Sequence, residues 1–140
     1  MKSFDLVPLF NLEEFGHWIQ CRDDLVYSYV SEVDGEVVDF VTFYSLPTSI
    51  LETTALSHIN VAYLFYYGVS DPTRLTLLMQ AALYKAKEVG FDVFNCVDIM
   101  KNQTFMRELL FASGDGSLHY YLYNWKTTLL KPDQIGVVML

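Results

Sequence analysis

A length of 140 residues suits one domain or half of a larger one, and a composition 52% hydrophobic and 16% aromatic excludes a disordered tail. Seventeen acidic against nine basic residues give a net charge of −8, which argues against a nucleic-acid or anionic-membrane partner and favours a cationic ligand. Cys21 and Cys96 are too few for a disulfide scaffold and lack zinc-site spacing, so no metal is expected. A mean hydropathy of +0.23 is high for a free-standing soluble domain, so some apolar surface is expected to meet a partner or a further portion of chain.

Met1 to Asp5 carry no apolar signal region, and no apolar run reaches the roughly 18–20 residues of a membrane span, so a cytoplasmic location is expected. Asn11 and Glu14 read as a capping box opening a short helix with Phe15, Trp18 and Ile19 on its apolar side. Leu25 to Val30 reads as a strand, Asp34-Gly35 as a hairpin turn, and Glu36 to Tyr44 as the returning strand, ended by Pro47. Asn60 to Val69 is apolar on both faces, as in a central strand.

Asp71-Pro72 starts the clearest helix, with Leu75, Leu78, Met79, Ala82 and Ala86 at helical spacing and Gly90 placed as its C-terminal cap. A strand over Phe91 to Val97, a helix over Asn102 to Leu110 and a tight turn over Ser113 to Gly116 follow. Leu118 to Trp125 alternates aromatics and reads as a strand, its part from Tyr120 to Trp125 core with tyrosine hydroxyls reaching solvent or a groove, and Gly136 to Leu140 is a final apolar segment. The order predicts an α+β or mixed α/β sheet with helices on its faces.

Familiar catalytic constellations are weak. Asp115, Ser117 and His119 are neighbours on one segment and cannot assemble a nucleophilic triad. His17, His58 and His119 lack metal-helix spacing. Ser113 to Gly116 has no following lysine or helix start to hold phosphate. The C-terminus is unusual because apolar residues lead directly into the carboxylate of Leu140. Burying such a tail brings a charge inward, which demands a cation or hydrogen bonds to meet it. The other reading is an edge strand whose last residue simply emerges into water.

The strings Asp39-Phe-Val-Thr-Phe-Tyr-Ser-Leu-Pro47, Ala62-Tyr63, Gly90-Phe-Asp-Val-Phe-Asn95, Asn102-Gln-Thr-Phe105, Gly114-Asp-Gly116 and Tyr120-Tyr-Leu-Tyr-Asn-Trp125 occur in this order. Together with the apolar terminus they resemble the C-terminal half of the eukaryotic glycylpeptide N-tetradecanoyltransferases (N-myristoyltransferases), over essentially the whole chain. The resemblance implies an α+β, acetyltransferase-like (GNAT-like) fold, a mixed sheet flanked by helices. It implies one domain over residues 1–140 that lines the peptide groove, with the N-terminal, myristoyl-CoA-binding half absent. Myristoyl-CoA is then the co-substrate of the full enzyme, with no cofactor bound by this half. The partners implied are N-terminal glycine peptides and the N-terminal half of the same enzyme.

Carried over by position, the family's catalytic base is the terminal carboxylate, here that of Leu140, and Asn95 stands beside the substrate amine. The family's peptide groove maps onto Thr48, Ile59, Tyr63, Val93, Asp115, Gly116 and Leu118. Family substrates often carry Lys or Arg a few residues in, which Asp115 and the acidic balance suit. Thr48 stands where the family usually has Ser. Leu110-Phe111-Ala112 replaces the usual Lys-Phe-Gly, which bears on peptide preference.

The isolated chain is expected not to transfer myristate and to expose the face on which its partner half docks. A free-standing peptide-binding module is the competing reading. A complete small acetyltransferase is disfavoured because Ser70 to Arg74 offers one arginine and no glycine to a pyrophosphate.

Overall fold

The structure, a computed structural model, describes residues 4–49 and 58–139, with the backbone alone at 49 and 58. The chain divides into two compact units, Phe10–Cys96 and Met1–Leu9 with Val97–Leu140.

The first unit is built on a four-stranded mixed sheet in the order β1-β2-β5-β6, where β1 is Val26–Val33, β2 Glu36–Ser45, β5 Val61–Val69 and β6 Val93–Asn95. A small ladder of β3 (Thr48–Ser49) and β4 (His58–Ile59) is separate from it. Helix α1, Leu12–Ile19, opens with the expected reciprocal cap: Glu14 N–H donates to Asn11 Oδ1 and Asn11 N–H to Glu14 Oε2, each at 2.9 Å. The β1–β2 hairpin turns at Asp34 and Gly35 with φ of 53° and 82°, the left-handed pair a two-residue turn requires.

Helix α2, Leu75–Glu88, follows a single 3-10 turn over Pro72–Arg74 and buries all five residues that its apolar spacing singled out. It ends in a Schellman motif, with Phe91 N–H on Ala86 O (3.0 Å), Gly90 N–H on Lys87 O (3.1 Å) and Gly90 at φ 93°. The cap delivers Phe91 into the core beneath α2, where Phe43 and Ala62 meet Ala86 and the rings of Tyr27, Tyr29, Phe91 and Phe94. Phe43 is the centre of that cluster, stacked on Tyr27 (centroids 5.4 Å, 13°) and edge-on to Phe94 (5.5 Å) and Phe91 (5.9 Å).

A buried carboxylate ties the far end of the sheet together. Asp39 on β2 accepts from Arg74 Nε at 2.8 Å and from the Ser70 amide at 3.0 Å, while Arg74 Nη2 also reaches Ser31 Oγ at 3.2 Å. The hydrogen bond from Arg74 outweighs burial and holds the Asp39 carboxyl below its usual range.

The second unit has less regular structure. Leu6 and Ile135 form a parallel bridge, with Gly136 N–H on Leu6 O at 2.7 Å and Asp5 N–H on Gln134 O at 2.9 Å. Asn102, fully buried, donates from Nδ2 to Val97 O at 2.7 Å and precedes α3, Gln103–Met106. Phe105 is its buried anchor and packs edge-on against Phe111.

Four expectations are corrected here. The strand expected over Phe91 to Val97 shrinks to three residues, because the Schellman cap occupies its start. The helix expected over Asn102 to Leu110 is regular only over Gln103–Met106 and continues as turns to Leu110. Leu110 adopts φ 59°, Phe111 N–H bonds Met106 O and Leu110 N–H bonds Arg107 O, a Schellman closure with leucine where glycine is usual. Ser113 to Gly116 is an open stretch with a bend at Asp115 rather than a tight turn. Leu118 to Trp125 forms no strand and is not core: Tyr121, Tyr123 and Trp125 are 86%, 98% and 75% exposed. A strand needs a partner backbone, and among the described residues none pairs with this segment.

Two outcomes follow for this chain. A carboxyl whose folded-state pKa lies below its unfolded value contributes stability above about pH 3.9, which is lost as pH falls through the folded-state pKa. Denaturant unfolding of Asp39→Asn should therefore show a lower midpoint than wild type at neutral pH, with the gap closing below about pH 3.9. Leu110→Gly removes a left-handed side-chain clash at an exposed position and should raise stability by about 1 kcal/mol in the same measurement.

Candidate functional site

The residues singled out from the sequence fall into both units, and each group is positioned by its own surroundings. In the sheet unit, Tyr63 on β5 and Asn95 on β6 are register partners in the short parallel β5–β6 ladder, and Val93 pairs with Val61 two residues earlier. Register partners point to the same face, so Tyr63 and Asn95 lie side by side. Tyr63 is half-buried while Asn95 and Val93 are exposed.

The start of this ladder is clasped twice. Asn60 N–H donates to Asp92 Oδ2 at 3.0 Å and Asp92 N–H returns to Asn60 O at 2.9 Å. Asn60 Nδ2 also reaches Gly90 O at 3.4 Å, joining the β5 entrance to the α2 cap. Thr48 and Ile59 are partners in the β3–β4 ladder. The Thr48 hydroxyl donates to Leu46 O at 3.3 Å, and Ile59 is half-buried.

What places Tyr63 on its face is a β-bulge. β2 pairs Val41 with Tyr67 but Phe43 with Leu64, so Phe65 and Tyr66 together face the single residue Thr42. The Thr42 hydroxyl, completely shielded from water, accepts from Tyr66 N–H and donates to Tyr66 O, both at 3.0 Å. The extra residue sends Leu64 and Ala62 to the α2 side with Phe43, and Tyr63 to the opposite side with Tyr44. There Tyr44 and Tyr63 stack with centroids 5.5 Å apart and planes 18° from parallel. Sequence reading missed Tyr44, because its partnership with Tyr63 depends on a bulge that no turn or capping signal marks.

In the other unit, Asp115, Gly116 and Leu118 are all exposed. The Tyr120 hydroxyl donates to Val137 O at 2.8 Å, fixing the backbone that leads toward the C-terminus, and Val138 beside it is buried while Met139 is exposed. Leu140 lies outside the described residues.

Against this geometry, the family model described as myristoyl-CoA:protein N-myristoyltransferase, C-terminal domain, matches residues 1–138. The chain belongs to that family. A glycylpeptide N-tetradecanoyltransferase from Plasmodium falciparum is 40% identical over 140 residues, all of this chain and 34% of its own length. This N-myristoyltransferase C-terminal domain thus spans about a third of the curated relatives it matches. In structure it resembles Saccharomyces cerevisiae N-myristoyltransferase with bound myristoyl-CoA, with a TM-score of 0.90 and 34% identity, over 99% of this chain and 42% of the yeast one. A ribosomal-protein-alanine N-acetyltransferase from Brucella melitensis shares the fold alone, with a TM-score of 0.51 and 19% identity over 73% of this chain and 74% of its own. The GNAT-like mixed sheet expected from the sequence is therefore the fold of this domain. Among the described residues, no helix is long and apolar enough to cross a membrane.

Replacing Thr42 by Val keeps the shape but removes both buried hydrogen bonds that its hydroxyl makes to the Tyr66 backbone. Thr42→Val should destabilise the domain by about 1–3 kcal/mol in denaturant unfolding. The amides of Tyr63 and Leu64 should exchange faster with solvent as the bulge loosens.

Proposed function

We propose that this domain supplies the peptide-binding surface and the general base of a glycylpeptide N-tetradecanoyltransferase, which moves myristate from myristoyl-CoA to the N-terminal glycine of proteins. The observation that carries the reading is the pairing of half-buried Tyr63 with exposed Asn95, in a chain the family model matches from residue 1 to 138. In this reading Tyr63, Ile59, Val93 and Leu118 line the groove and Thr48 adds a hydroxyl. Asp115 beside Gly116 meets a lysine or arginine further along the peptide, and the net charge of −8 draws such substrates in.

The substrate glycine arrives largely as an ammonium ion, with a pKa of about 7.7–8.0, and is then not a nucleophile. The Leu140 carboxylate binds that cation and takes one proton, while the Asn95 side-chain amide orients the nitrogen. The free amine attacks the thioester carbonyl, the N–C bond forms, and the C–S bond breaks. The departing thiolate takes the second proton from nitrogen, leaving an amide and free coenzyme A.

The Tyr120–Val137 hydrogen bond supports this role by fixing the chain three residues before the terminus. A second portion of the enzyme, N-terminal to this domain, holds the acyl-CoA. The exposed run of Tyr121, Tyr123 and Trp125 offers it an apolar docking strip, and the domain alone transfers nothing. The reaction as a whole is a cytoplasmic one.

Semisynthesis of the full-length transferase carrying this domain with an amidated C-terminus tests the base, since it removes the charge and almost nothing else. Turnover at neutral pH should fall by roughly 10²–10⁴-fold with peptide binding retained. A full rate would move the base elsewhere. Mass spectrometry of the isolated domain with a glycine-starting peptide and myristoyl-CoA should find no acylated product. Peptide binding by the full-length protein with no acylation would leave a peptide-binding module in place of an enzyme.

A further inference from the structure

The face that carries Tyr63 and Asn95 holds an aromatic file that the peptide-groove reading does not use. Tyr63 is a half-buried aromatic side chain on the sheet face opposite α2. On its β6 side stands Asn95, a small exposed amide. On its β2 side stands Tyr44, its register partner, stacked at 5.5 Å with the planes nearly parallel.

Tyr44 is itself braced. Phe65, buried, meets it edge-on at 5.7 Å and 81°, and Trp18 on α1 meets Phe65 at 6.4 Å and 67°. The file Trp18, Phe65, Tyr44, Tyr63 therefore runs from a capped helix across two strands, with exposed Asn95 on the other flank of Tyr63.

We infer that Tyr44 is a positioning residue for peptide recognition, holding the Tyr63 ring in the plane against which the substrate's first residues lie. This rests on the reading of Tyr63 as a groove wall. The role belongs to the ring, through its stack on Tyr63 and its edge contact with Phe65; burial, and then the neighbouring Tyr63, push the Tyr44 phenol pKa up. A wall held in place before the peptide arrives spares the ordering cost of freezing it on binding, which appears in the peptide KM and hardly at all in the chemical step.

Steady-state kinetics of the full-length transferase carrying this domain, with a glycine-starting octapeptide at saturating myristoyl-CoA, tests it. Tyr44→Leu should raise the peptide KM by about three- to tenfold, the equivalent of one aromatic pair, with kcat nearly unchanged. Tyr44→Phe, which keeps the stack, should restore the wild-type KM. Phe43→Leu serves as the control. It weakens the core on the opposite face, so it should lower the melting temperature without moving KM. A Tyr44→Leu protein that melts early yet keeps its KM, or a Tyr44→Phe protein as impaired as the leucine variant, overturns the inference. If Tyr44→Leu does not fold, Tyr44→Met gives the same reading. Tyr63→Ala separates the two levels. Should it leave KM unchanged, the groove reading falls and this inference with it. Should it raise KM while Tyr44→Leu does not, the positioning role alone is lost.

Discussion

The hydroxyl of Thr42, sealed from water, both gives a hydrogen bond to Tyr66 and takes one from it, and this pair of hydrogen bonds keeps β5 one residue out of step with β2. Side chains alternate across a strand, so a one-residue slip exchanges the two faces of everything beyond it. Below the bulge, Ala62 and Leu64 are turned toward α2, and Tyr63 is turned to the face where Tyr44 and Asn95 stand. A single buried polar contact thereby decides which half of β5 is core and which half is groove. The two buried hydrogen bonds between the Thr42 hydroxyl and the Tyr66 backbone are what make that decision firm.

The rest of the sheet unit divides its labour around that point. Phe43 and its surrounding rings supply apolar burial on the α2 side, where α2, its cap and Phe91 close over the sheet. The Asp39 carboxylate anchors the opposite end of β2 to the 3-10 turn that introduces α2, so a side-chain ion pair holds the start of the helix and the Schellman motif closes its end. The Asn60–Asp92 clasp then sets where β6 begins. Each device is polar, local and directional, and the apolar cluster between them is not. Cohesion comes from the rings, and register comes from the hydrogen bonds.

What the sequence made legible was local chemistry. The Asn11–Glu14 box, the Asp34-Gly35 turn and the α2 stripe ending at Gly90 are each decided within a few residues of themselves, and the structure has them where their patterns lie. Tyr63 and Asn95 came from the family resemblance, and the register makes them neighbours. Tyr44 escaped notice because its contact is set by a bulge two residues away, through a partner strand some twenty residues on. The run from Leu118 to Trp125 misled for the converse reason. Its alternation satisfies every intrinsic preference of a strand, but a strand is a relation between two backbones, and here the aromatic side chains stand in water. The turns that continue α3 end at Leu110, in a left-handed conformation that its residue type disfavours, where Phe111 packs on Phe105.

The Schellman cap at Gly90 fixes more than the end of a helix. From Ala86, whose carbonyl receives the Phe91 amide, to Asn95 the chain passes through the cap, the Phe91 anchor, the Asp92 clasp and the β6 ladder without a slack residue. An insertion or deletion within this stretch would turn Phe91 out of the core or shift Asn95 to the other face of the sheet. Length variation among homologous chains should then be absent between Ala86 and Asn95 and be accommodated elsewhere. The spacing of these ten positions is as much a signature of the domain as the residues that fill them.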